Sequence, residues 1–237
     1  MADSHSAESK SNRQEDWVLA ALQSVLPDSC GVACWISTWP VPPGPEIETQ
    51  AVRAAVESRK KEFAMGRAAA REALRKIGHP PVAIPVGEGR APVWPAGVVG
   101  SIAHKEGIAV AVAARAADLV GLGVDIEETG AVTEDLWPDL LDPVERAFLR
   151  SLPPGDRPRF ATAMFAAKEA FYKFQFPLTK EWVGFLDVEL TIGADLAKCR
   201  VRTKRPLLIG GKERKVFSAD IKIGASATLA VVSLVNG

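Results

Sequence analysis

Histidine and cysteine are scarce in this 237-residue chain, with three of each. Cys30, Cys34 and Cys199 form neither a zinc-ligand nor a disulfide pattern, and the odd count fits a reducing cytoplasm. No run is long and apolar enough to span a bilayer. The first residues, Met1 to Asp16, are polar and lack the apolar core of a secretion signal. Neither sign of charge dominates: 29 basic and 29 acidic side chains balance. That excludes a chain built to live on nucleic acid or anionic lipid. What remains is an ordinary globular composition, 47% hydrophobic and 24% charged, enough for one large domain or two lobes with a sizeable core.

Residues 1–14 are rich in Ser, Lys, Glu and Gln and read as a loose tail. Trp17 to Leu26 reads as a short helix and Gly31 to Trp39 as a strand. Glu46 to Ile77 reads as one or two helices, stopped by Gly78 with Pro80 and Pro81 beyond. Val98–Ile102 and Ile108–Ala114 read as strands around the turn from His104 to Gly107. Helices are expected over Pro143–Leu149 and Arg157–Phe176. The remainder (Gly184–Ile192, Cys199–Thr203, Leu207–Ile209, Lys215–Ile223, Ala225–Val235) reads as strand with Gly-containing turns. Helices plus strands thus occur twice, although no residue-level repeat stands out. The pattern predicts an α/β fold of the α+β type: an N-terminal lobe over 15–116 and a C-terminal lobe over 117–237, with a ligand in the cleft between them.

Two acidic motifs carry the chemistry. Asp125 and Glu127 alternate with Val124 and Ile126 in an apolar run, so a strand points both carboxylates to one face. Carboxylates that close repel unless a cation lies between them. Oxygen ligands with no His or Cys nearby suit a hard divalent ion, Mg²⁺ first and Mn²⁺ as its substitute. The second motif, Phe165 to Lys173, begins 38 residues beyond Glu127 on a predicted helix. Phe160, Met164, Ala167, Phe171 and Phe174 form one apolar stripe. Glu169 lies opposite it, among Phe165, Tyr172 and Phe176, where an unpaired carboxylate is costly. A salt bridge to Lys173 at i+4 is one account; a metal site of Asp125, Glu127 and Glu169 is the other. Cations gather elsewhere: Arg67, Arg71 and Arg75 line one helical face, Arg90 sits on a tight turn after Gly87, and His104 ends a strand. Arg67, Arg90, His104, Lys168 and Lys173 together suit a ligand with several phosphates.

These motifs, in this order, are recognisable. Arg59-x-x-Glu62-Phe63-x-x-Gly66-Arg67-x-x-Ala70-Arg71, Trp94-Pro95 through Gly100-Ser101-Ile102-x-His104, Gly123-Val124-Asp125-Ile126-Glu127 and Lys168-Glu169-Ala170-Phe171-Tyr172-Lys173 resemble the phosphopantetheinyl transferases, in particular the two-lobed class of the enterobactin-synthase type. The resemblance covers Arg59 to Leu190. It implies two pseudo-symmetric α/β lobes with coenzyme A in the cleft, and transfer of its phosphopantetheine arm to a serine of an apo carrier protein. By position, Asp125, Glu127 and Glu169 would bind Mg²⁺. Arg59, Arg67, Arg90 and His104 would hold phosphates, and Lys168 and Lys173 would neutralise the pyrophosphate. Glu169 would be the base, with Glu127 its alternate and Lys173 assisting. A cytoplasmic monomer with no nucleic-acid partner and no membrane span is expected. The chain departs from the pattern at Ala103, where relatives carry Ser or Thr, and at Phe165, where many carry Trp. Glu128 adds a carboxylate that strand alternation turns away from Glu127. A metal-dependent nucleotide pyrophosphatase and a non-catalytic carrier-binding module are the competing readings.

Overall fold

The computed structural model describes residues 2–192 and 197–236, with side chains from residue 13 onward. The chain divides into two compact units, Met1–Leu119 and Val120–Gly237. In the first unit, α1 (Ala2–Gln23) leads into β1 (Gly31–Ile36), the short α2 (Glu46–Thr49), the long α3 (Glu57–Lys76), β2 (Val98–Lys105) and β3 (Ile108–Arg115). The strands form an antiparallel sheet in the order β1-β3-β2. The second unit starts with β4 (Leu119–Glu128), then α4 (Trp137–Leu140), α5 (Pro143–Ser151), α6 (Arg157–Thr179), β5 (Val188–Ile192), β6 (Lys198–Ile209), β7 (Lys212–Ile223) and β8 (Ala227–Val235). Its sheet runs β4-β8-β7-β6-β5. Among the described residues no helix is long and apolar enough to cross a membrane.

Residues 2–14 are helical, where composition predicts a loose tail. That stretch contains neither Gly nor Pro, so nothing in it stops the helix expected from Trp17 from continuing backwards. Each unit buries its own core. In the first, Ala69, Ala70, Ala73 and Leu74 of α3 pack on Ala33, Ala111 and Ala113. In the second, Ala166, Ala167, Ala170, Phe171 and Phe174 of α6 pack on Val201, Phe217, Ala219, Ala230 and Val232. The alanines on both helices follow from close helix–sheet contact, which leaves room for little else.

A repeat that the sequence reading overlooks becomes plain once the two units are compared. In both sheets the first strand pairs with the last, and the last with the one before it, with the long helix following the first strand. At a constant offset of 97 residues, Phe63-Ala64 matches Phe160-Ala161. Ala69-Ala70-Arg71-Glu72-Ala73-Leu74-Arg75-Lys76 likewise matches Ala166-Ala167-Lys168-Glu169-Ala170-Phe171-Tyr172-Lys173. The same offset relates Glu48 to Glu145. The repeat is faint to the eye because it is confined to short stretches and the segments before the helices differ in length.

Candidate active site

The acidic site belongs to β4 and α6. Gly121, Gly123, Asp125 and Glu127 occupy alternate positions of β4 and therefore one face of it. A side chain on Gly123 would collide with the Ala170 carbonyl oxygen and with the backbone of Phe174. One on Gly121 would meet Leu178 and Phe174. The two glycines let α6 lie directly on the strand, so the next residues on that face, Asp125 and Glu127, meet the helix edge that carries Glu169 and Lys173. Val124 and Ile126 are fully buried on the other side, and Glu128 is exposed, as alternation requires.

Lys173 Nζ donates to Asp125 Oδ1 at 2.5 Å. Asp125 is buried, and its Oδ2 has no hydrogen-bond partner. Burial and then the neighbouring Asp125 charge push the Glu127 carboxyl up to about 8, against the pull of Lys173. Glu169 is also raised, first by burial and then by Asp125, again opposed by Lys173. For Lys173 burial acts downward, but Asp125, Glu169 and Glu127 together raise it. One ammonium thus serves three carboxylates. Lys173 is thus the opposite charge felt at Glu169, and Asp125 the like charge. Among the described residues no three Asp, Glu, His or Cys side chains are gathered tightly enough to hold a metal ion. The donor chemistry nonetheless suits a hard cation: the carboxylates repel, and one buried oxygen lacks any partner.

Lys168 is a correction. Expected to neutralise phosphate, it is buried, and its ammonium is fully used: it donates to Glu145 Oε2 at 2.7 Å, Phe185 O at 2.9 Å and Leu140 O at 3.0 Å. An ammonium has three N–H bonds, so none is left for a ligand. The periodicity contains the signal. Lys168 follows Met164 by four residues and precedes Phe171 by three, which puts it at the border of the apolar stripe, whereas Lys173 lies on the Glu169 edge.

The cations of the first unit fall into separate groups. Arg59, at the start of α3, donates to His104 Nε2 on β2 at 2.6 Å, and Glu62 lies 3.4 Å from Arg59 and 3.7 Å from His104. Two expected phosphate ligands are therefore together, part-exposed. Arg67 is elsewhere on α3: it is 6% exposed, its guanidinium lies 4.3 Å from the Phe63 ring centroid, and its Nε has no hydrogen-bond partner. It lines a cavity of about 600 Å³ with Val41, Pro43, Glu48, Phe63 and Arg71. Burial lowers it to about 10, with Glu48 opposing and Arg71 adding. Arg90 is exposed on a 3₁₀ turn (Glu88–Arg90), with its backbone left-handed at φ 65°.

Near the end of α6, Phe176 is buried, whereas Trp182 is 74% exposed and stands edge-on to Tyr172 at 5.4 Å. Tyr172 stacks on Phe176 at 5.4 Å and is raised by burial and by Glu169.

Residues 47–114 match the family model for the 4'-phosphopantetheinyl transferase N-terminal domain, and residues 121–225 match that for the 4'-phosphopantetheinyl transferase superfamily. The 4'-phosphopantetheinyl transferase Svp of Streptomyces mobaraensis is 34% identical over 190 residues, covering 79% of this chain and 77% of Svp. Npt of Nocardia iowensis, another 4'-phosphopantetheinyl transferase, is 37% identical over 61% of this chain and 64% of its own length. Enterobactin synthase component D of Salmonella typhi is 40% identical over 52% of this chain and 50% of its own. The chain belongs to the 4'-phosphopantetheinyl transferase family.

Proposed function

We propose that this chain transfers the 4'-phosphopantetheine arm of coenzyme A to a serine of an apo acyl or peptidyl carrier protein, releasing adenosine 3',5'-bisphosphate. The observation that carries the proposal is the set of Asp125, Glu127, Glu169 and Lys173 on β4 and α6, within the segment that matches the family. Coenzyme A is the donor, its phosphates held by Arg59 and His104 as one pair and by Arg67, Arg90 and Lys173. Glu169, part-buried and raised above the usual carboxylate range, takes the proton from the serine hydroxyl. The serine oxygen then bonds to the β-phosphorus, and the bond from that phosphorus to the bridging oxygen breaks. The bridging oxygen leaves with the electron pair, and Lys173 offsets the charge that builds there. A positioned base supplies roughly 10²–10⁴-fold in such a step.

Asp125, Glu127 and Glu169 would hold Mg²⁺, and the unpartnered Oδ2 of Asp125 is the atom that most needs it. When bound, the ion supplies electrostatic stabilisation of pyrophosphate charge. The deciding assay incubates the chain with coenzyme A, Mg²⁺ and an apo carrier protein and weighs the carrier by mass spectrometry. Addition of a phosphopantetheine mass is expected, and it should vanish with EDTA. Hydrolysis of coenzyme A with an unmodified carrier would establish the pyrophosphatase reading instead. An inert mixture would favour a carrier-binding module.

A further inference from the structure

Among the described residues of the second unit, the most completely bonded ionic group lies outside the acidic site. Glu145, at the third position of α5, is 2% exposed. Its Oε2 accepts from the Asp142 backbone N–H at 2.8 Å and from Lys168 at 2.7 Å, and its Oε1 accepts from the Leu190 N–H at 2.7 Å. Lys168 completes the group through the Leu140 and Phe185 carbonyls. Three hydrogen bonds from Lys168, the residue next to Glu169, therefore tie α6 to α4, α5 and the turn before β5, and Glu145 carries the group on to β5. We propose that Glu145 and Lys168 are positioning residues: their buried pair fixes the turn of α6 that presents Glu169 to Asp125 and Lys173. The proposal rests on the transferase reading above.

The first unit supports it independently. Glu48 Oε2 accepts from Arg71 at 2.7 Å and Glu48 Oε1 from the Ile84 N–H at 2.7 Å. In both units the acid and the cation are 23 residues apart, and the second carboxylate oxygen takes a backbone N–H from the extended chain that follows the helix. The cation differs while the arrangement is kept, so the geometry of the pair rather than the particular amine is what each helix uses. Buried ion pairs are weak sources of stability compared with apolar residues of the same volume. Their distinct contribution here is a single allowed register for the helix, and displacement of a reacting group by about 1 Å can cost roughly a hundredfold in rate.

The test uses the whole chain with coenzyme A, Mg²⁺ and apo carrier protein, each variant assayed below its melting temperature after circular dichroism has shown it folded. Glu145→Gln and Lys168→Met should lower kcat by about 30-fold or more, with KM for coenzyme A within about threefold of wild type. Lys168→Arg, which copies the first unit, should restore kcat to within about threefold. Where Lys168→Met does not fold, Lys168→Arg decides: retained kcat with unchanged KM supports the proposal. A raised KM with kcat intact in any of these variants would make Lys168 a ligand contact and overturn it. So would full kcat in Lys168→Met. A wild-type chain that modifies no carrier removes the transferase reading itself, and the proposal falls with it.

Discussion

Asp125 divides its two oxygens: one is held by Lys173, and the other is buried with no hydrogen bond. Asn at this position keeps the shape and removes the charge. Asp125→Asn should lower kcat/KM for transfer by about a hundredfold or more while leaving the circular dichroism spectrum unchanged. Calorimetry should show weaker Mg²⁺ binding, and a fully active variant would remove Asp125 from the mechanism. His104 is argued from its contact with Arg59. If that pair reads the ribose phosphate, His104→Ala should weaken coenzyme A about tenfold or more, the worth of a charge-assisted hydrogen bond. A dephospho analogue should lose much less, and equal losses by titration calorimetry would refute the role. At this scale the sequence was most informative where side chains share an element, as with Asp125 and Glu127 on a strand. It failed for Lys168, because a cation beside a carboxylate of the acidic site looks like a ligand until its partners, 23 and 28 residues earlier and 17 later, come into view.

Between the elements, the close approach of α6 to β4 is what makes a site out of two remote motifs. Gly123 permits it, since a β-carbon there would meet backbone atoms of Ala170 and Phe174, which cannot swing aside. Overpacking in a core with flexible neighbours costs roughly 1–3 kcal/mol; against backbone the upper end applies. Gly123→Ala should therefore lower the melting temperature by about 6–12 °C, read by differential scanning calorimetry, with transfer activity reduced even where the chain stays folded. A melting temperature within about 2 °C of wild type would show that the helix has room to move. Most elements are legible because their periodicity and their Gly and Pro stops agree. One exception besides the first residues is β6, where Pro206 argues for two strands. The chain instead runs through as one strand, with a register shift between Arg202 and Leu207. Proline cannot donate to the ladder, so it is accommodated at an irregularity rather than ending the strand.

For the whole molecule, the duplication bears on which half carries the acidic site. The two copies share the helix, the placing of the first strand against it and the acid–cation pair, yet the residues which that strand turns to the helix differ. Gly31 lies against Ala73 as Gly123 lies against Ala170, and in the same alternation Ala33 and Trp35 stand where the second copy has Asp125 and Glu127. Glu72 is the counterpart of Glu169, but its oxygens are taken by Arg75 at 2.7 and 2.8 Å on the helix surface. Lys76, the counterpart of Lys173, donates to the Val32 carbonyl rather than to a carboxylate. A two-unit chain with balanced charge was readable from composition and pattern. The repeat was not, because the matching residues are few and it is the shared topology that reveals their equivalence. From the asymmetry a paired outcome follows. Glu169→Gln should cost at least about a hundredfold in kcat by removing a positioned base. Glu72→Gln, the same change at the equivalent turn of the other copy, should leave kcat within about twofold, because surface substitutions away from special features have small effects. Comparable losses in steady-state transfer by the two variants would mean that both copies take part in the reaction. The assignment of the chemistry to β4 and α6 alone would then be wrong.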